Sequence, residues 1–201
     1  MPARRRRFCY LRKCVRAEVS GRAFLGLIRH AKDQHAYLDR IIEDSGPEAR
    51  AAFDDRIRQA DWLPYAAYVG FLRALERHLG PGDPAFFRTL GASAGKRDLG
   101  SVYRVFAALA SPERLIRACG KIWPSYYRNA GRMEAVSWQP EDTRLTIVDF
   151  PQMDRRHCRL MEGWMISTMT SIGVHVNDDA RETACMSRGA LHHEFRCSWS
   201  R

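Results

Sequence analysis

The spacing of the hydrophobic residues changes near residue 130, and this change limits the folds that the chain can adopt. Between residues 21 and 129 the apolar residues recur at the period that buries one face of an α-helix. After residue 131 they alternate with polar residues, as in strands with one buried face. No internal repeat and no linker rich in glycine, serine or proline divides the chain. The pattern predicts one α+β domain over residues 17–201, mainly helical over 17–130.

Helix starts and stops in the first half are marked by proline and glycine. Asp83-Pro84 and Ser111-Pro112 each place a capping side chain before a proline, which suits the first helical turn. Residues 61–64 are predicted to begin a long helix that ends at Gly80-Pro81-Gly82. Pro124 is predicted to kink or end the last helix of this half.

The second half is predicted to run strand, strand, helix, strand, strand, strand over residues 131–201. Residues 133–138 and 144–148 are predicted to form a hairpin, and Asp154 is predicted to cap a helix over 154–172. The remaining strand candidates are 174–176, 182–186 and 194–199. Short turns between strands favour an antiparallel sheet. The expected architecture is an N-terminal helical layer packed on this sheet, with the 154–172 helix covering one face.

The positive charge is concentrated at the N-terminus. The chain carries 33 lysines and arginines against 23 acidic residues, and seven of these cations fall within residues 1–16, which contain no acid. We expect residues 1–16 to form a flexible basic tail. Such a tail is also able to contact phosphate, so a nucleic-acid-associated protein remains an alternative, although we do not expect nucleic acid as the main partner.

The composition favours a protein of the cytoplasm. No stretch approaches the roughly 18 consecutive apolar residues of a membrane span, and the N-terminus lacks the apolar run of a secretory signal. Six cysteines without such a signal fit a reducing compartment better than a disulfide framework.

Three side chains late in the sequence have a spacing that hydrophobic periodicity does not require. Cys158 falls in the first turn of the predicted helix, Cys185 falls on a predicted strand, and His193 follows eight residues later across a turn. Thiolate and imidazole are preferred zinc ligands. A tetrahedral site needs one more ligand, for which the candidates are His157, Glu162, His192 and water. Core packing of the cysteines is the competing interpretation.

Several short motifs resemble those of four-vinyl-reductase-type domains. They are Arg181-Glu182-Thr183-Ala184-Cys185, Gly189, His193-Glu194-Phe195 and the helix from Cys158 to Trp164. The run from Trp62 to Trp123 resembles an uncharacterised bacterial family built on the same domain, and the similarity covers roughly residues 20–199. The resemblance implies the sensor module of bacterial regulators that respond to phenols and xylenes. It also implies a fold shared with small TRAPP subunits and haem-type nitric-oxide-binding domains.

By this resemblance, Cys158, Cys185 and His193 fall on the zinc-ligand positions of the sensor domains. His193 stands where the family has cysteine, and Gly189-Ala190-Leu191 replaces the usual Gly-Asp-Pro turn. Histidine is still a zinc ligand, so a Cys/Cys/His site is allowed. A metal-free site that keeps the same fold is equally compatible with these departures.

A group of aromatic residues supplies candidate walls for a ligand pocket between helices and sheet. Flat apolar rings with a polar edge suit such a wall, although they also occur as ordinary core. The candidates are Trp123, Tyr126, Tyr127 and Trp164.

The sequence lacks the motifs of phosphate-binding loops, zinc proteases and serine-nucleophile elbows. With the resemblance, this favours a binding protein over an enzyme. We expect a sensor that holds a small hydrophobic or aromatic molecule, forms a homodimer through its helical half and signals to a regulatory protein. The alternative is a metal- or cofactor-dependent enzyme or biosynthetic accessory protein, because the domain takes its name from pigment biosynthesis.

Overall fold

The computed structural model of the chain describes residues 16–34, 38–101, 111–139, 141–177 and 180–200. The predicted basic tail lies outside these residues except for Arg16. None of the helices in these ranges is long and apolar enough to cross a membrane.

Seven α-helices lie within the described ranges. They are α1 (Gly21–Asp33), α2 (Leu38–Glu43), α3 (Pro47–Asp54), α4 (Tyr65–Leu79), α5 (Phe86–Ser101), α6 (Pro112–Ile122) and α7 (Arg155–Thr170). The same ranges contain eight strands. They are β1 (Glu18–Ser20), β2 (Trp62–Pro64), β3 (Tyr127–Arg128), β4 (Arg132–Gln139), β5 (Asp142–Val148), β6 (His175–Val176), β7 (Arg181–Ala184) and β8 (His193–Ser200). The predicted α+β class is confirmed.

A small sheet in the helical half was not predicted. Strands β2, β1 and β3 pair in that order, and both pairings are antiparallel. Its centre is Val19, which is fully buried and pairs with Leu63 and Tyr127. The expectation that residues 61–64 begin a helix was therefore wrong, since Trp62–Pro64 is strand and the helix starts at Tyr65. Strands of two or three residues are too short to show an alternating pattern.

The main sheet is antiparallel throughout, as predicted. Its order is β4-β5-β8-β6, and β7 also pairs with β8. The predicted hairpin is formed by β4 and β5. Along β8 alternate side chains are buried, beginning with His193 and continuing through Phe195, Cys197 and Trp199. This alternation turns the start of β8 toward the interior of the molecule.

Helix α7 packs closely against α5 because glycines replace larger side chains at the contact. A Cβ atom at Gly163 would lie 1.8 Å from the Arg88 carbonyl oxygen, and one at Gly91 would lie 1.9 Å from the Leu160 carbonyl oxygen. Helix α7 also contacts β6 and β7. The Asp154 carboxylate caps its N-terminus by accepting a hydrogen bond from the Arg156 backbone N–H at 2.9 Å. These contacts fix where the first turn of α7 meets the sheet.

Candidate metal centre and ligand cavity

Four ligand-type side chains meet where the first turn of α7 contacts β7 and β8. They are Cys158, Glu182, Cys185 and His193, and one ligand atom from each lies within 4.8 Å of the others. Cys158 and His193 are fully buried, and Cys185 is 2% exposed. The Glu182 side chain is 3% exposed. The structure thus brings together the three residues singled out from the sequence and adds a carboxylate.

Glu182 was missed because strand alternation argues against it. Residues 182 and 185 are separated by an odd number of positions, which places them on opposite faces of a regular strand. The pairing of β7 with β8 shifts register between Glu182 and Ala184, and this bulge brings Glu182 and Cys185 to the same side. A bulge of this kind leaves no periodic signal in the sequence.

A tight turn returns the chain from Cys185 to His193. The Cys185 carbonyl oxygen accepts hydrogen bonds from the backbone N–H groups of Arg188 at 3.0 Å and Ala190 at 3.1 Å. Gly189 completes the turn with φ of +91°, a left-handed conformation that favours glycine. The turn therefore sets the separation of two of the four ligand-type groups.

Two distances within the cluster are close to edges of a tetrahedral zinc site. Zinc bond lengths place sulfur and nitrogen ligands about 3.6 Å apart, and nitrogen and oxygen ligands about 3.4 Å apart. Cys158 Sγ lies 3.5 Å from His193 Nδ1, and His193 Nδ1 lies 3.3 Å from Glu182 Oε1. These three donor atoms are thus spaced as a small divalent cation requires, and the Cys185 ligand atom lies within 4.8 Å of each of them.

The His193 ring is oriented by a backbone carbonyl on its far side. Its Nε2 lies 3.3 Å from the Phe150 carbonyl oxygen, which only accepts hydrogen bonds. Nε2 therefore donates to this carbonyl, and Nδ1 is directed at Cys158 and Glu182. Protein metal sites commonly fix a ligating histidine in this way.

Glu182 is the acidic member of the cluster, and its Oε2 also lies 3.2 Å from the exposed Arg188 Nη2. Burial, followed by the influence of Glu182, raises the pKa of the Cys158 thiol. Burial alone would raise the pKa of Glu182, but hydrogen bonds from His193, Cys158 and Cys185 outweigh it and lower that pKa. A buried carboxylate with two thiols and an imidazole is a set that a divalent cation stabilises by displacing the thiol protons.

The other candidates for a fourth ligand have different partners. His157 lies between two hydroxyls, with Nδ1 2.8 Å from Tyr65 Oη and Nε2 2.7 Å from Tyr127 Oη. Burial lowers the pKa of His157 to about 3. Glu162 Oε1 accepts a hydrogen bond from the Glu182 backbone N–H at 2.7 Å, and His192 Nε2 lies 3.9 Å from Glu194 Oε2. None of these three residues belongs to the cluster.

The four predicted pocket residues line one cavity with a volume of about 70 Å³. Its inner wall is formed by buried side chains: Leu27, Tyr68, Cys119, Trp123, Tyr126, Tyr127, Met133, Leu160 and Met161. Its rim is half-buried and consists of Arg22, Ala23, Gly26, Ala94, Arg97, Ile122 and Trp164. The cavity therefore lies among helices, and of the described residues the main sheet contributes Met133.

No protein-family model matches the chain, and no curated protein matches it in sequence. Solved structures do match. An H-NOX protein from S. oneidensis in the Fe(II) ligation state is similar with a TM-score of 0.70 and 13% identity, over 90% of this chain and 96% of that chain. The Fe(II) unliganded H-NOX protein from K. algicida is similar with a TM-score of 0.70 and 12% identity, over 90% of this chain and 97% of that chain.

These matches extend over nearly the whole of both chains, and they support an H-NOX-like domain. They do not support the narrower resemblance to four-vinyl-reductase-type domains. At such low identity the likeness concerns architecture alone. The chain has the fold of the H-NOX domains.

Proposed function

We propose that this protein is a sensor that encloses a small apolar or aromatic molecule in its cavity and signals the bound state to a partner. The observation that carries the proposal is the position of α7. This helix supplies Cys158 to the four-residue cluster and Leu160, Met161 and Trp164 to the cavity wall. One rigid element therefore contacts both sites.

The chemistry of the cavity supports an apolar ligand. Its inner wall is mainly aromatic and aliphatic, and the rings of Trp123 and Tyr127 pack at a tilt of 32° with centroids 4.2 Å apart. A cavity of about 150 Å³ is able to hold benzene, so this cavity of about 70 Å³ must expand to admit a single ring. Met133 and Met161 are flexible wall residues that permit small expansions.

The proposed mechanism is a shift between two packings of α7. A ligand that contacts Leu160, Met161 and Trp164 favours the position of α7 that fits it best. Because the glycine contacts with α5 leave little room for lateral movement, α7 is expected to shift along its axis against α5. A partner that binds near the moving surface then distinguishes the two states.

We propose that the cluster holds zinc in a structural role. Cys158, Cys185, Glu182 and His193 form a donor set of sulfur, nitrogen and oxygen, which suits zinc. When bound, the ion would join α7 to the β7–β8 hairpin through coordinate bonds. Four protein ligands leave no open position for substrate, so the arrangement favours a sensor over a metal-dependent enzyme.

The cavity does not fit haem, although the fold implies that group. Haem iron in proteins is held by histidine, cysteine thiolate, methionine or tyrosine. Among the described residues no histidine lines the cavity, so an axial ligand would have to come from its cysteine, methionine or tyrosine side chains. Burial raises the pKa of Cys119 to about 12, and its Sγ is directed at the Leu115 carbonyl oxygen at 3.6 Å. Pockets for drug-sized ligands measure about 300–1,000 Å³, and a porphyrin does not enter 70 Å³.

The proposal is tested by filling the cavity. Ala94 lies on the rim, and Ala94→Leu places three extra carbons there. Lys96→Leu is the matched control, because Lys96 is exposed on the same helix. Small aromatic compounds are titrated while the tryptophan fluorescence, to which Trp123 and Trp164 of the cavity contribute, is followed. We expect saturable binding to the wild type and Lys96→Leu, and about tenfold weaker binding to Ala94→Leu. Equal affinity in all three proteins would overturn the proposal.

The same preparation tests the metal and the assembly. Native mass spectrometry with elemental analysis reports zinc per chain, any retained small molecule and the number of chains in the assembly. We propose a homodimer formed through the helical half, and a spectrum with monomer alone contradicts it.

The basic tail falls in the part of the chain that is not described, and deleting residues 1–16 tests for salt-dependent nucleic-acid binding.

A further inference from the structure

We infer that Glu162 is a positioning residue of the proposed metal centre, and that it acts by holding the backbone of the carboxylate ligand Glu182. The inference rests on the proposed zinc site, which supplies the four ligands but leaves open what fixes them. The observation behind it is a fully buried carboxylate outside the cluster. Glu162 Oε1 accepts a hydrogen bond from the Glu182 backbone N–H at 2.7 Å.

The pairing of β7 with β8 does not by itself fix Glu182. The register shifts between Glu182 and Ala184, at the bulge that brings the carboxylate to the cluster. Strand β7 pairs with β8, and no other strand in the described ranges pairs with it. The backbone N–H of Glu182 binds the side chain of Glu162. Because an ionised acceptor makes a stronger hydrogen bond than a neutral one, this contact is suited to hold the bulge in place.

One face of α7 supplies both a ligand and this hydrogen bond. Glu162 follows Cys158 by four residues, so the two side chains lie on the same face of the helix, one turn apart. Cys158 contributes its sulfur to the cluster, while Glu162 binds the strand that carries Glu182. One turn of α7 therefore sets where the carboxylate ligand lies relative to the thiol ligand.

Two arginines compensate the charge of Glu162. Arg159 Nη1 lies 2.6 Å from Glu162 Oε1, and Arg88 Nε lies 3.5 Å from Glu162 Oε2. Arg88, on α5, also donates from Nη2 to the Ala180 carbonyl oxygen at 3.0 Å. Buried charges are stable only with partners of this kind. The backbone at residues 180 and 182 is thus held from two helices, by Arg88 and by Glu162.

A carboxylate held in this way loses little freedom when the ion binds. Groups that hydrogen-bond to metal ligands typically contribute about 10–100-fold to metal affinity. Without Glu162, the bulge is less ordered and water competes with the Glu182 carboxylate for the ion. We expect the other three ligands, Cys158, Cys185 and His193, to remain bound.

The test measures how tightly each variant holds Co²⁺, which has visible absorption bands that zinc lacks. Protein is produced in medium with Co²⁺ in place of zinc, and the bound Co²⁺ is titrated out with a chelator. Glu162→Met removes the acceptor at nearly constant side-chain length, and we expect it to weaken Co²⁺ binding about 30-fold. Glu162→Gln keeps an oxygen for the Glu182 N–H and is expected to restore most of the affinity. Glu76→Met is the matched control, because Glu76 forms an ion pair with Arg156 of α7 at 2.6 Å and lies outside the cluster.

The absorption spectrum of bound Co²⁺ separates positioning from a general loss of stability. We expect Glu162→Met to keep the near-ultraviolet bands of thiolate bound to Co²⁺. Its visible bands are expected to shift and weaken, because water replaces the carboxylate. A variant that only loosens the fold binds less Co²⁺ with an unchanged spectrum. An unchanged spectrum in Glu162→Met, or an affinity equal to that of Glu76→Met, overturns the inference and leaves the proposed zinc site intact.

Arg88→Gln provides a second variant, which covers the case that Glu162→Met does not fold. The Arg88 side chain is 40% exposed, so its replacement disturbs the interior less. It removes contacts to both Glu162 and Ala180, and we expect weaker Co²⁺ binding with the same change in the visible bands. Wild-type affinity and spectrum in Arg88→Gln contradict the inference. Wild-type protein that holds neither zinc nor Co²⁺ overturns the inference and the proposed zinc site together.

Discussion

His193 illustrates how one residue acquires a role from its neighbours. Its ring is fully buried at the start of β8, and the Phe150 carbonyl holds Nε2 while Nδ1 faces Cys158 and Glu182. His157 is equally buried but has a tyrosine hydroxyl on each ring nitrogen. Both histidines are buried, and they differ in their hydrogen-bond partners. His193 contacts the other members of the cluster, whereas His157 contacts tyrosines that pack against α7.

At this scale we predict that His193 is required for zinc. His193→Ala is expected to lower the content from about one zinc per chain to near zero, and to lower the melting temperature, because it removes one of four ligands. His193→Cys keeps a zinc-binding donor and is expected to retain the ion. Elemental analysis of purified protein measures the content.

The control for this prediction is the adjacent histidine. His192 is partly exposed, lies beside Glu194, and contributes nothing to the cluster. His192→Ala is therefore expected to keep full zinc content and thermal stability. Equal zinc in His193→Ala and His192→Ala would show that His193 is not a ligand.

Among the elements, the contact between α5 and α7 is the least tolerant of change. The backbones approach so closely at Gly91 and Gly163 that no side chain fits between them. We predict that Gly163→Ala destabilises the protein by about 3 kcal/mol, because the added methyl forces the helices apart. Urea denaturation measures the change in the free energy of unfolding.

Gly26→Ala is the control for the helix contact. A Cβ at Gly26 makes an ordinary contact of 3.7 Å, and alanine favours the helical conformation. This variant is expected to unfold at the same or a slightly higher urea concentration. If Gly163→Ala behaves like Gly26→Ala, then α7 is free to move away from α5 and the close contact is not essential.

The elements also show which features the sequence is able to predict. The cap at Ser111 was predicted from its neighbouring proline, and its hydroxyl accepts a hydrogen bond from the Arg114 backbone N–H at 3.4 Å. Local chemistry determines such a cap, so local sequence reveals it. The strands β1, β2 and β3 depend on pairing between segments more than 40 residues apart. No sequence pattern within any one segment predicts this pairing.

The candidate site follows the same rule. The spacing of Cys185 and His193 was visible because a single turn links them. The bulge that recruits Glu182 depends on how β7 pairs with β8, and the cavity depends on how α1, α5 and α7 pack together. Both arise from tertiary packing, which periodicity and motif spacing do not encode.

For the whole molecule, the H-NOX fold here encloses a small cavity whose described lining contains no histidine. We predict that titration with haemin gives no saturable one-to-one change in the Soret band and no rise in melting temperature. Apomyoglobin serves as the positive control under the same conditions. A stoichiometric Soret shift that also stabilises the protein would falsify the conclusion that the cavity excludes porphyrin.

Because α7 contributes to the cluster at its first turn and to the cavity wall one turn later, we expect the proposed metal and ligand sites to be thermodynamically linked. If zinc raises the affinity for the cavity ligand by some factor, the ligand must raise the affinity for zinc by the same factor. A cell short of zinc would then become less sensitive to the cavity ligand, even at a constant concentration of that ligand. The signal of the protein would therefore depend on two concentrations at once, that of a nutrient metal and that of a metabolite.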